Sequence, residues 1–92
     1  MLELYNDLLK SFDKAIEKKE ANKFGKDDIA AIYSAASKLF DGTMDLEKNQ
    51  LEQVCKKWVL LSDGKLTKSS ALKKLQGTSR AEAIQSVLLS TV

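Results

Sequence analysis

Ninety-two residues pass without a single proline. Proline ends helices more firmly than any other residue, because it lacks the N–H and its ring clashes with the preceding turn. Only four glycines, at 25, 42, 64 and 77, remain to interrupt the chain. A turn-rich β sandwich needs far more punctuation than that. The expected fold class is therefore all-α, a compact bundle of four to five short helices in a single domain over residues 1–92.

The apolar spacing agrees. Tyr5, Leu8, Leu9, Phe12, Ala15 and Ile16 recur at three- and four-residue intervals and predict a helix from about residue 2 to about residue 22. Lys18, Lys19 and Lys23 suit its negative end, and Gly25 is the expected stop. Asp27 and Asp28 place negative charge at the start of a second helix with the stripe Ile29, Ile32, Tyr33, Ala36, Leu39 and Phe40. Asp45 is the expected cap of a third, striped by Leu51, Val54, Cys55, Trp58, Val59 and Leu61. Thr67 caps a short fourth helix through Leu72 and Leu75, with Leu66 placed to staple onto Ala71. Ser79-Arg80-Ala81-Glu82 has the pattern of a capping box and opens a fifth through Ala83, Ile84, Val87 and Leu88. Asp41-Gly42 and Asp63-Gly64 each follow a helix end, which predicts one tight corner used twice.

A core of this size leaves stability modest, so a short chain is expected to hide every apolar residue it can. The last helix tests that expectation, because Val87, Leu88, Leu89 and Val92 are more than one face can cover. Burial within the bundle is favoured over a partner or a second copy.

Charge is unevenly placed. Residues 1–47 carry seven lysines against ten carboxylates, whereas residues 48–92 carry eight basic groups against Glu52, Asp63 and Glu82. The carboxyl half is a candidate surface for an acidic partner, although a solvated lysine face accounts for the same pattern. The amino terminus has neither a basic segment nor an apolar run of signal length, and nowhere do eighteen apolar residues stand together. Cys55 is alone, so no disulfide forms within the chain and a cytoplasmic, reducing location is expected.

The side chains offer little to catalysis. There is no histidine, hence no ordinary general base and no imidazole ligand for a metal. Cys55 lies on an apolar stripe and has nothing to make it a thiolate. No spacing singles out a serine–lysine pair among Ser34, Ser37, Lys38, Lys68, Ser69 and Ser70. Counting calcium-loop positions from Asp41 gives oxygen ligands at Asp41, Thr43, Asp45, Glu47, Asn49 and Glu52. The sixth position, which needs glycine for its sharp turn, holds Leu46, and the eighth holds Lys48, so a capped helix start explains the acids better. No cofactor, no metal and no enzyme activity are expected.

Three resemblances bear on binding. Leu72-Lys73-Lys74-Leu75-Gln76-Gly77-Thr78-Ser79 resembles the helix-turn-helix of bacterial regulators, which implies a DNA partner facing Arg80, Gln85 and Ser86. It departs at Gln76 and Lys73, where that family has a leucine and a small residue. Phe12-Asp13-Lys14-Ala15, Ile32-Tyr33-Ser34 and Leu75-Gln76-Gly77-Thr78-Ser79 with Glu82-Ala83 resemble fragments of the acyl-CoA-binding protein family, in that family's order. That resemblance covers about a fifth of the chain and implies Tyr33 as a small-ligand contact. Ser37 and Lys57-Trp58 depart from it, where the family has a lysine and a tryptophan-rich motif. The overall character, with Leu4-Tyr5-Asn6-Asp7-Leu8, resembles bacteriocin immunity proteins and phage- or plasmid-borne inhibitors. This last class implies a non-catalytic module that binds another protein or a second copy of itself, and it is the favoured expectation. Lys57, Trp58, Arg80 and Leu89 are the candidate contact residues, because aromatic and arginine side chains dominate contact energies when exposed.

Overall fold

Helices account for the fold of the residues described in the computed structural model, which are 2–41, 46–77 and 79–92. They are α1 (Leu2–Glu20), α2 (Lys26–Phe40), α3 (Lys48–Leu61), α4 (Lys68–Lys74) and α5 (Arg80–Leu89), and no strand occurs among the described residues. None of them is long and apolar enough to cross a membrane.

The expected stripes become the core. Tyr5, Leu8, Phe12 and Ala15 of α1 are buried with Ile29, Ile32, Ala36, Leu39 and Phe40 of α2. Val54, Cys55, Trp58 and Leu61 of α3 join them, followed by Leu66, Ala71, Leu75, Ala81, Ile84 and Leu88. Burying a leucine-sized side chain contributes about 1.5–3 kcal/mol, and this continuous cluster is what holds the helices together. α1 packs against both α2 and α3, while α5 lies on α2 and α4 lies on α3. The Cα radius of gyration is 11.9 Å, near the ~12 Å of a folded chain this long.

Several ends differ from expectation. α1 stops at Glu20 through Asn22 rather than Gly25. Asn22 takes a left-handed φ of 59°, its N–H bonds to the Lys19 carbonyl, and the Lys23 N–H bonds back to Lys18. That is the Schellman pattern, which asparagine supports because it tolerates the left-handed region. Gly25 instead precedes α2, where its N–H donates to the Asp28 carboxylate at 3.0 Å. α3 begins after Glu47, whose N–H donates to Gln50 Oε1 at 2.9 Å; Asp45, the expected cap, lies outside the described residues, as does Gly42.

Thr67 caps α4 as expected, exchanging bonds reciprocally with Ser70. The box at Ser79 does not form: its side chain makes no capping bond. Glu82 instead sits 3.5 Å from the Tyr33 hydroxyl, so a contact between helices replaces a local one. Of the first Asp-Gly corner only Asp41 is among the described residues, and it differs from its counterpart Asp63. Asp41 keeps a helical φ of −75°, whereas Asp63 and Gly64 turn left-handed at 54° and 81°. Behind the second corner Ser62 is buried, donating to the Val59 carbonyl and accepting from the Leu66 N–H.

Candidate functional site

The four expected contact residues do not come together. Trp58 is completely buried on the core face of α3, so its indole is not available to a partner. Its Nε1 finds no hydrogen-bond partner among the described residues. The reason is periodicity: Trp58 follows Val54 and Cys55 at the spacing that points inward, and shape won over the indole's preference for a polar contact. Lys57, its neighbour, forms an ion pair with Asp13 across α3 and α1. Arg80 folds back over Phe40, with its guanidinium carbon 4.6 Å from the ring centroid. It also reaches the Phe40 carbonyl at 3.5 Å. Leu89 alone of the four is exposed, at 41%.

The last helix therefore divides its apolar residues. Leu88 is buried, Val87 is half-buried, and Leu89 and Val92 face out, against the expectation that burial would take them all. The segment that resembles a helix-turn-helix has its main contacts elsewhere. Such a pair packs its two helices on each other, whereas here α4 docks on α3 and α5 on α2. Arg80, which would have read a base, lies against Phe40.

Most of the basic side chains that bind inward do so at helix ends. Lys18 lies 2.8 Å from Asp28. Lys19 pairs with Asp63 and donates to the Leu61 carbonyl at the end of α3. Lys65 donates to the Ser90 carbonyl at the end of α5. Each of the last two places a cation at the negative pole of a helix. Burial pushes the Asp28 carboxyl up, but the bonds from Lys18 and the Gly25 N–H, with the charges of Lys18 and Lys14, outweigh it and hold the carboxyl below its ordinary value. Burial also pushes the Cys55 thiol up, with Lys68 opposing and Glu52 reinforcing the shift. A thiol of that kind is a packing residue rather than a nucleophile.

The concave feature that sequence reasoning missed lies between α3 and α4. It is an open groove of about 480 Å³ lined by Glu52, Gln53, Lys56, Val59, Leu60 and Lys68. Leu60 is 58% exposed there. A signal for it did exist: Trp58-Val59-Leu60-Leu61 is four apolar residues in a row, and the stripe of α3 has room for three. A second, more polar groove of about 540 Å³ is lined by Lys19, Asn22, Phe24, Asp63, Thr91 and Val92. Tyr33 lines neither; it lies between α2 and α5, with Glu82 beside its hydroxyl. Among the described residues no three His, Cys, Asp or Glu side chains gather as metal ligands would.

No protein-family model matches the chain, and neither a curated protein nor a solved structure matches it. The three fragmentary resemblances in the sequence therefore rest on their own residues alone.

Proposed function

We propose that this chain is a non-catalytic helical module that works by binding another protein. The observation that carries this reading is that Leu60, Leu89 and Val92 stay exposed outside the core formed by the described residues. All three belong to the carboxyl half, where basic groups outnumber acids. Apolar side chains set in a charged surface are what an interface core and its polar rim are made from. Three side chains that could carry chemistry have structural roles instead: Cys55 is packed in the core, Ser62 bridges a turn and Ser70 serves a cap. A buried thiol fits a cytoplasmic setting.

The test is photo-crosslinking of the full chain in its native cells, with the reactive residue placed at Leu60 or at Leu89. One dominant protein adduct is expected from at least one position. Adducts to nucleic acid, or none above background at both, would overturn the reading. An adduct between two copies of this chain would establish self-association as the form the binding takes. A DNA-binding alternative predicts affinity that falls steeply with added salt, and an acyl-CoA-type ligand predicts a rise in melting temperature on addition.

A further inference from the structure

The α3–α4 groove has a character that narrows the partner's chemistry. Its floor is Val59 and Leu60, with Leu60 the most exposed large apolar side chain among the described residues. Lys56 stands on α3 and Lys68 faces it from the start of α4. Elsewhere Lys18, Lys19 and Lys57 are each paired with an aspartate, and Lys65 holds a helix end. Lys56 and Lys68, like Lys10, Lys14, Lys23, Lys26, Lys38, Lys48, Lys73 and Lys74, make no ion pair and no side-chain hydrogen bond among the described residues; what sets these two apart is that both line this apolar groove. Glu52, one turn before Lys56, lines the same groove but lies beyond ion-pairing distance of it.

Two lysines facing one apolar floor attract carboxylates that bracket an apolar anchor. The volume is within the ~300–1,000 Å³ range of sites that receive a ligand, and because the groove is open it suits a side chain projecting from a larger molecule. Two helices side by side also present the ridges on which a third helix packs. We propose that this groove docks an acidic amphipathic segment of a partner protein, with an apolar side chain against Val59 and Leu60 and its flanking carboxylates on Lys56 and Lys68. The proposal rests on the protein-binding reading above and specifies where and what is bound.

The experiment is a titration of the isotopically labelled full chain, followed by methyl and amide NMR. The probes are two synthetic helical peptides of about 16 residues with leucines at i, i+3, i+4 and i+7, one otherwise rich in glutamate and one in lysine. The glutamate peptide is expected to shift the Val59 and Leu60 methyls and the amides of α3 and α4, and to bind at least tenfold more tightly than the lysine peptide. Combined Lys56→Glu and Lys68→Glu substitutions should reverse that preference. Leu60→Ser should weaken binding about tenfold while leaving the circular dichroism spectrum unchanged. Equal binding of the two peptides, shifts centred outside the groove, or no binding at millimolar peptide would each overturn the proposal. A protein adduct from Leu89 with none from Leu60 would overturn it too, and would leave the broader reading standing.

Discussion

The Lys18 ammonium sits 2.8 Å from the Asp28 carboxylate, tying the last turn of α1 to the first turn of α2 across the bend at Asn22. The same carboxylate accepts the Gly25 N–H, so one acid serves both an ion pair and a helix start. Asp28 is nearly buried and Lys18 much less so, which leaves the carboxylate dependent on these two partners.

A pH dependence follows. The folded carboxyl of Asp28 lies below its ordinary value, so the stability it contributes is present above the unfolded value of about 3.9 and fades as pH falls through the lower folded one. The ammonium of Lys18 is raised, mainly by its hydrogen bond to Asp28, so the same pair also weakens when pH rises past about 10.4 and through the folded value. Urea unfolding of Asp28→Asn should show a loss at pH 7 that narrows progressively as pH falls below about 3.9. An unchanged gap between the two proteins across that range would refute this account.

Trp58 yields a second expectation. Trp58→Ala opens a large void in the middle of the core and should cost about 3–5 kcal/mol. Trp58→Phe leaves a smaller void and removes a buried N–H that has no partner among the described residues. Those effects oppose, so its stability should stay within about 1 kcal/mol of the parent. Denaturant curves followed by far-ultraviolet circular dichroism compare the three directly, and native Trp58 fluorescence should resist quenching by acrylamide.

Glycine substitutions separate two kinds of turn. Gly64 has a φ of +81°, so Gly64→Ala should lose about 1 kcal/mol although nothing lies within 4 Å of the added methyl. Gly77 has no such φ and would meet only the Lys74 carbonyl at 3.6 Å. Gly77→Ala should be neutral or stabilising by up to about 1 kcal/mol, through the entropy of the unfolded chain. Thermal melts should show Gly64→Ala lowered and Gly77→Ala unchanged or raised.

Arg80 joins α5 to the end of α2 by stacking on Phe40. Arg80→Lys keeps the charge but replaces a planar cation with a compact one, and should cost about 0.5–1 kcal/mol. Phe40→Leu should reduce that difference, since a double-mutant cycle isolates the contact.

Sequence periodicity located the helices and nearly all of the core, because a 3.6-residue stripe is a local property that packing then uses. Thr67 was legible for the same reason: its partner Ser70 is one turn away. What could not be read was anything decided between elements. Asn22 and Gly25 both had the chemistry to end α1, and the bend into α2 chose the former. Glu82 had a local role open to it at Ser79 and sits instead beside Tyr33 from another helix. Trp58 and Arg80 looked like contact residues by type, but the faces they occupy commit them to the inside and to Phe40. A stripe says which side of α4 is buried; it does not say that α3, rather than α5, will cover it.

That docking of α4 grades stability along the chain. The seven residues of α4 rest on α3, whereas α1 and α2 are hemmed in by neighbours and by one another. Detaching α4 uncovers Leu66, Ala71 and Leu75 but leaves the contacts of α1 with α2, α1 with α3 and α2 with α5 intact. Amide protons in α4 should therefore exchange through a partial opening, well before those of α1 and α2, which wait for the whole molecule to come apart. Because Lys68 belongs to this early-opening helix, whatever fills the groove beside it also acts as a clasp, slowing exchange in α4 in proportion to its occupancy.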